Sequence, residues 1–209
     1  KEVTLGERPA GIPAPPGPDK HDLEGDDSSH VPPVHAGSAG GGARELGTSW
    51  NFDKEELGRP PQDFLFAITG SGAAGQWEIR RDPDAPIAPM VVVQVSEDNT
   101  DSRFPMALAP AKPFRDGKAS VRLKPMRGKV DQAGGLAVRF QDRDNYLLVR
   151  ANALEGNVRL YRVVKGKREQ LATTDLKVEA NTWHALEVTL DGDTFRATLD
   201  GQPAGEAHD

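Results

Sequence analysis

The sequence of 209 residues contains no cysteine, and aromatic residues make up only 6% of it. The absence of cysteine excludes disulfide frameworks, thiolate zinc sites, iron–sulfur clusters and cysteine nucleophiles. Long hydrophobic runs are also missing, because the most apolar stretch, residues 90–95, is far shorter than the roughly 20 residues of a membrane helix. We therefore expect no membrane span.

Residues 1–47 differ in composition from the rest of the chain. They hold 7 proline and 9 glycine residues, 8 acidic and 4 basic side chains, and no aromatic residue. A segment of this composition cannot bury a hydrophobic core. We predict a disordered, acidic linker over 1–47, without secondary structure, and one folded domain over 48–209. Such a linker suits an exported protein, so we expect a periplasmic or extracellular location.

Within the domain, apolar residues recur at every second position, which is the period of a half-buried β-strand. Leu147, Val149 and Ala151 show this spacing, and so do Leu186, Val188 and Leu190. Asp-Gly pairs at 191–192 and 200–201 have the composition of hairpin turns. The pattern predicts an all-β fold, either a sandwich or a barrel.

Two stretches in the middle of the domain point to a known family. Residues 134–146, GGLAVRFQDRDNY, and residues 150–162, RANALEGNVRLYR, resemble the 3-keto-disaccharide hydrolase-like domain, formerly a domain of unknown function. This family is similar to the concanavalin A-like lectin/glucanase superfamily. The resemblance implies a secreted bacterial protein with a concanavalin A-like antiparallel β sandwich, or jelly roll. Family members continue past the position of Gly201 into a closing strand, so we expect this sandwich to lack its final strand.

The same alternation places polar side chains on the sheet face opposite the core. Arginine forks bind hydroxyl pairs or anions, tyrosine rings stack on sugars, and asparagine both donates and accepts. A saccharide groove is one interpretation of this face, and an ordinary solvated sheet face is the other. The predicted carbohydrate-binding residues are Arg139, Tyr146, Arg150, Asn152, Asn157, Arg159 and Tyr161.

The distribution of charged residues indicates which class of ligand the domain binds. Residues 112–168 carry 15 basic and 5 acidic side chains, but the basic residues alternate with apolar ones and the whole chain has a net charge of -6. This distribution is not that of a nucleic-acid surface. We therefore expect a carbohydrate partner, either an anionic glycan or a keto-sugar, and no nucleic acid. No oligomeric state is predicted.

Glu155 is the candidate catalytic residue, because it lies in a loop between two predicted strands. It would act as the general base of a hydrolase of 3-keto-glycosides, or it only caps a hairpin and pairs with arginine. No Glu-x-Asp-x-x-Glu spacing occurs, which argues against a retaining endoglucanase. Whether the protein is an enzyme, a binding module or a structural sandwich stays open.

The sequence predicts no metal site and no cofactor. Asp142, Asp144 and Asn145 have the spacing of oxygen ligands, but Ca²⁺ needs six to eight oxygens, so we predict a turn between two strands. We expect His184 to begin a strand and to pack at the end of a sheet.

Overall fold

The computed structural model describes residues 47–209 in full and residues 2–4 by their backbone. The rest of the predicted linker lies outside the described residues. Those that are described form thirteen β-strands and no helix, so none of them builds a helix that crosses a membrane. The strands are β1 (Glu2–Thr4), β2 (Leu65–Gly70), β3 (Trp77–Arg81), β4 (Met90–Gln94), β5 (Arg103–Leu108), β6 (Gly117–Lys124), β7 (Ala133–Asp142), β8 (Asn145–Asn152), β9 (Asn157–Val164), β10 (Lys167–Asp175), β11 (His184–Asp191), β12 (Thr194–Leu199) and β13 (Gln202–His208).

These strands pair antiparallel in three sheets. A seven-stranded sheet has the order β13-β12-β11-β6-β1-β4-β3, a four-stranded sheet has the order β10-β9-β8-β7, and β2 pairs with β5 in a two-stranded ribbon. The four-stranded sheet packs against the part of the large sheet that contains β6, β11, β12 and β13. The main core between them includes Val121, Leu123, Leu147, Val149, Leu160, Leu186, Val188 and Phe195. The predicted all-β antiparallel sandwich is confirmed.

Burial along the strands follows the period of two. On β11, Leu186 and Val188 are fully buried while Glu187 between them is exposed. Each such apolar side chain contributes roughly 1.5–3 kcal/mol when it leaves water. On β9, however, both faces are buried, because Leu160 is 0% exposed in the core and Tyr161 is 4% exposed on the opposite face. The face of the four-stranded sheet that lies away from the main core, called the outer face below, is therefore not a plain solvated surface.

A second, smaller core lies around the β3–β4 hairpin. Phe52, Phe64, Ile79, Met90 and Val92 are buried there, and Trp50 packs edge-on against Phe64 with ring centroids 6.0 Å apart. Phe66 of β2 stacks on Trp77 of β3. The aromatic residues that precede and begin the ribbon thus attach it to the β3–β4 end of the large sheet.

Three strands differ from the sequence-based expectation. β1 falls in the segment predicted to have no secondary structure, and its backbone pairs with both β4 and β6. It fills the gap between two strands that do not pair with each other, which satisfies their backbone groups. The pattern also predicts neither β5 nor β13. Pro105 interrupts the strand pattern of β5, and Pro203 and Gly205, which are unfavourable in strands, weaken that of β13. The absence of a final strand stays a prediction.

Candidate functional site

The outer face gathers most of the polar residues that the sequence analysis singled out. Because Leu147, Val149 and Ala151 of β8 point into the main core, the residues between them face outward. Arg150 lies opposite Arg159 of β9, and Asn152 lies opposite Asn157. The structure brings together Tyr146, Arg150, Asn152, Asn157, Arg159 and Tyr161.

Arg139 does not belong to this group, so the prediction of its position is wrong. The β7–β8 pairing shifts register between Val138 and Asp142, and Arg139 has a φ of 47° there. Its guanidinium donates to the backbone carbonyls of Arg115 and Gly192, at the β11–β12 turn. An irregularity of this kind breaks the alternation of faces along a strand, so counting by two fails beyond it.

The two tyrosines lie on the outer face but are buried, which excludes the exposed stacking role expected of them. The Tyr146 hydroxyl hydrogen-bonds the Thr69 hydroxyl of β2 at 3.0 Å, and its ring is only 6% exposed. Tyr161 is 4% exposed, and the guanidinium carbon of Arg168 lies 4.8 Å from its ring centroid. Thr69 of the β2–β5 ribbon thus contacts Tyr146, and Arg168 of β10 lies over the Tyr161 ring, so both tyrosines pack beneath other side chains of the site.

The two asparagines organise the turn between β8 and β9. Asn152 is fully buried; its Nδ2 donates to Asp131, and its Oδ1 accepts from the backbone N–H groups of Leu154 and Glu155. Asn157 Nδ2 donates to Glu155 Oε2 at 3.1 Å, while its Oδ1 accepts from Arg150 at 3.2 Å. These bonds fix the loop that carries Glu155.

Glu155 is the centre of a cluster of ion pairs. Its Oε2 lies 2.9 Å from Arg150 Nη2 and 2.9 Å from Arg159 Nη1. Arg150 also lies 3.8 Å from Asp131, and its Nε and that of Arg159 are buried without a hydrogen-bond partner among the described residues. Hydrogen bonds between charged groups are among the strongest in proteins, so the position of the Glu155 carboxylate is well defined.

These neighbours also set the protonation of Glu155. Burial acts to raise the pKa of the Glu155 carboxyl, but hydrogen bonds from Arg150 and Asn157 and the charges of Arg150 and Arg159 bring the pKa below its ordinary value. The carboxylate is therefore ionised at neutral pH. With its side chain 39% exposed, it presents a fixed hydrogen-bond acceptor to solvent.

An open cleft of about 810 Å³ lies above this cluster. Arg150, Glu155, Arg159 and Arg168 line it, together with Arg80, Asn181 and the segments 93–105 and 126–131. Its volume lies in the range of small-ligand sites, and its lining combines polar and apolar surface.

The 96–103 segment of the rim is held by its own hydrogen bonds. Asp98 accepts from the backbone of Ala73 and from both the backbone and the hydroxyl of Thr100, which lower the pKa of Asp98 to about 2. Arg103 donates to the carbonyls of Ala73 and Ala74 and to the Ser96 hydroxyl. This network connects the rim to the β2–β3 loop.

Arg168 is a site residue that the sequence analysis missed. Its guanidinium carbon lies 4.4 Å from the Phe104 ring centroid, and across the described residues no ion pair or hydrogen bond involves its side chain. The available signal is its position in β10, where it lies opposite Val163 and thus on the same face as Tyr161. The sequence pattern predicts a strand only over 169–173, which leaves Arg168 outside it.

The other polar residues of interest have structural roles. Asp142 accepts hydrogen bonds from the Asp144 backbone and the Asn145 side chain, which confirms the predicted turn between β7 and β8. His184 begins β11 and is buried, as predicted, with Asp200 and the carbonyl of Glu179 beside its ring nitrogens. Within residues 47–209, no group of three or more His, Asp or Glu side chains is arranged to hold a metal ion.

Comparisons with known proteins identify no family for this chain. No protein-family model matches it, and no curated protein is similar to it. Among solved structures, the chain is similar to the carbohydrate binding module CBM66 from Bacillus subtilis, with 22% sequence identity and a TM-score of 0.38. The match covers 45% of this chain and 67% of the CBM66 chain. That likeness is too weak to support any inference, so membership of the 3-keto-disaccharide hydrolase-like family stays a prediction.

Proposed function

We propose that this sandwich is a carbohydrate-binding module that takes a glycan in the cleft above Glu155. The observation that carries the proposal is the Glu155 carboxylate, which is partly exposed and is held between Arg150 and Arg159 at 2.9 Å from each. A sugar presents neighbouring hydroxyl groups that both donate and accept. A fixed carboxylate beside fixed guanidinium groups matches this pattern, because the first only accepts and the second only donate.

The cleft also contains apolar surface for the carbon-bound hydrogens of a sugar ring. Half-buried Phe104 and partly exposed Met126 both line it. Small-ligand sites combine such surface with a few fixed polar groups. The rim network around Asp98 and Arg103 supports preorganisation, which lowers the entropic cost of binding.

Hydrolysis of 3-keto-glycosides with Glu155 as base is the second candidate, and the resemblance of residues 150–162 is what favours it. A general base is most effective when its pKa is near the working pH. The pKa of Glu155 is lowered instead, and its charge is offset by two guanidinium groups. These features favour a binding role over a proton-transfer role for this carboxylate.

Affinity electrophoresis against a panel of neutral and acidic polysaccharides tests the proposal. We expect at least one polysaccharide to retard the wild-type protein, and Glu155→Gln to weaken that binding by about tenfold or more, since a charged hydrogen bond is lost. Glu187→Gln is the matched control, because Glu187 is exposed on β11 and does not line the cleft. It should bind like the wild type.

Two further readouts separate the alternatives. Thermal unfolding of Glu155→Gln shows whether lost binding reflects a lost contact or a lost fold. Incubation of the wild type with a 3-keto-disaccharide, followed by assay of released sugar, tests hydrolysis. Turnover that Glu155→Gln abolishes would support the enzyme, and failure to bind any polysaccharide would contradict the module.

A further inference from the structure

We infer that the glycan in this cleft is acidic, with a uronate carboxylate or a sulfate ester that binds Arg168. The inference rests on the proposed function, since it names the class of sugar that the same site takes. A carboxylate is planar and a sulfate ester is tetrahedral, but both carry a negative charge on neighbouring oxygens. Two of these oxygens can accept hydrogen bonds from one guanidinium group.

The first argument is the charge balance on the outer face. Three guanidinium groups line the cleft here, those of Arg150, Arg159 and Arg168. The first two have carboxylates near them, because they share Glu155, Asp131 lies 3.8 Å from Arg150, and the charge of Asp175 acts on Arg159. Within residues 47–209 no carboxylate pairs with Arg168, so an anionic group on the ligand would supply its counter-charge.

The second argument is the state of Arg168 itself. Within residues 47–209 it has no carboxylate partner, and its guanidinium lies against the rings of Phe104 and Tyr161 at 4.4 and 4.8 Å. In contacts of this kind the flat face of the guanidinium lies against an aromatic ring, which fixes its orientation. The N–H groups at its edge remain free to donate hydrogen bonds. A positioned arginine fork with unused donors is suited to bidentate binding of a carboxylate or a sulfate.

The third argument is the charge of the whole cleft. Seven basic and five acidic side chains line it, and because one of the basic ones, Arg80, pairs with Glu78, the excess is one positive charge in a chain whose net charge is -6. The acidic groups of the rim are engaged, because Asp98 pairs with Arg103, Glu97 lies 3.7 Å from Arg127, and Asp101 accepts from the Ser102 backbone. The cleft is therefore a locally basic site on an acidic protein, which attracts anions at low ionic strength.

Isothermal titration with two matched pairs of probes tests the inference. The first pair is polygalacturonate and its carboxyl-reduced neutral form, and the second is dextran sulfate and dextran. We expect at least one acidic probe to bind about tenfold or more tightly than its neutral partner, because one charged contact is worth about that factor. The pair that shows the difference identifies the carboxylate or the sulfate as the recognised group.

Two variants locate the effect. Arg168→Gln should lose about tenfold of the affinity for the acidic probe. Arg143→Gln makes the same change on an exposed turn that does not line the cleft, and it should bind like the wild type. Arg168→Lys keeps the charge but not the fork, so its affinity should fall between those of Arg168→Gln and the wild type.

The outcomes that overturn the inference differ from those that overturn the proposed function. Equal affinity for the acidic and neutral forms of both pairs overturns the inference and leaves a neutral-glycan module standing. If Arg168→Gln binds the acidic probe as tightly as the wild type does, Arg168 does not contact the ligand and the inference is wrong. Equally tight binding of polyglutamate, an anionic polymer without sugar, overturns both proposals, and so does failure to bind any polysaccharide of the panel.

Discussion

Arg150 and Arg159 lie directly opposite each other on β8 and β9, and both guanidinium groups contact the same oxygen of Glu155 at 2.9 Å. Like charges at opposed positions of an antiparallel pair destabilise a sheet. The Glu155 carboxylate offsets this repulsion next to Arg150, which is only 9% exposed. The same contacts that stabilise the sheet therefore also fix the hydrogen-bonding groups of the cleft.

We predict that Glu155→Gln destabilises the fold as well as the site. The free energy of unfolding should fall by about 1–3 kcal/mol, because the amide removes the carboxylate that two facing guanidinium groups share, while Asp131 beside Arg150 and the partial exposure of Glu155 limit the cost. Urea unfolding followed by circular dichroism measures the change. Glu187→Gln should stay within about 0.5 kcal/mol of the wild type. Equal losses in both variants would show that the cluster has no special role.

The pKa shift of Glu155 predicts how this stabilisation depends on pH. Its pKa is lowered in the folded protein from an ordinary value of 4.5, because the hydrogen bonds and charges of its neighbours outweigh burial. A lowered folded pKa gives stability that is present above the unfolded pKa and lost as pH falls through the folded one.

The stability difference between the wild type and Glu155→Gln should therefore be constant from neutral pH to about pH 5 and then shrink as the pH falls below the ordinary pKa of 4.5. Urea midpoints of both proteins across this range provide the measurement. A difference that grows as the pH falls would have the opposite sign and would contradict the ion-pair account.

The hydroxyl pair of Tyr146 and Thr69 connects the β2–β5 ribbon to the outer face. Tyr146→Phe should lower the free energy of unfolding by about 1 kcal/mol, because it leaves the Thr69 hydroxyl without this partner. A double-mutant cycle with Thr69→Val measures the coupling. The double variant should lose less than the two single losses together, and strict additivity would show that the bond contributes nothing.

Two adjacent glycines of β7 offer a matched test of backbone packing. A Cβ at position 135 would lie 2.0 Å from the Val149 carbonyl oxygen, whereas one at position 134 would have its nearest atom, the Leu123 Cβ, at 3.6 Å. Gly135→Ala should therefore cost about 3 kcal/mol or more, and Gly134→Ala less than about 1 kcal/mol. Unfolding midpoints compare the two variants. Equal effects would contradict the β7–β8 register.

The sequence allows the sandwich and much of the site to be predicted, because alternation holds along regular strands. It places Arg150 and Arg159 on one face correctly, since β8 and β9 pair without a register shift. It misplaces Arg139 because an irregularity in β7 changes the face. Local pattern also cannot show that the β2–β5 ribbon contacts Tyr146, since that contact joins residues 77 positions apart. Arg168 was missed because its β10 neighbours are too polar to mark the strand's start.

Mapping of the bound glycan tests the central claim most directly. The measurement is the change in backbone amide chemical shifts of the ¹⁵N-labelled protein during titration with fragments of the polysaccharides in the panel. We predict that the largest changes cluster at Glu155, Arg159 and Arg168, which line the cleft. No shift change with any fragment, or changes confined to the β11–β12–β13 side of the sandwich, would contradict a carbohydrate site at this cleft.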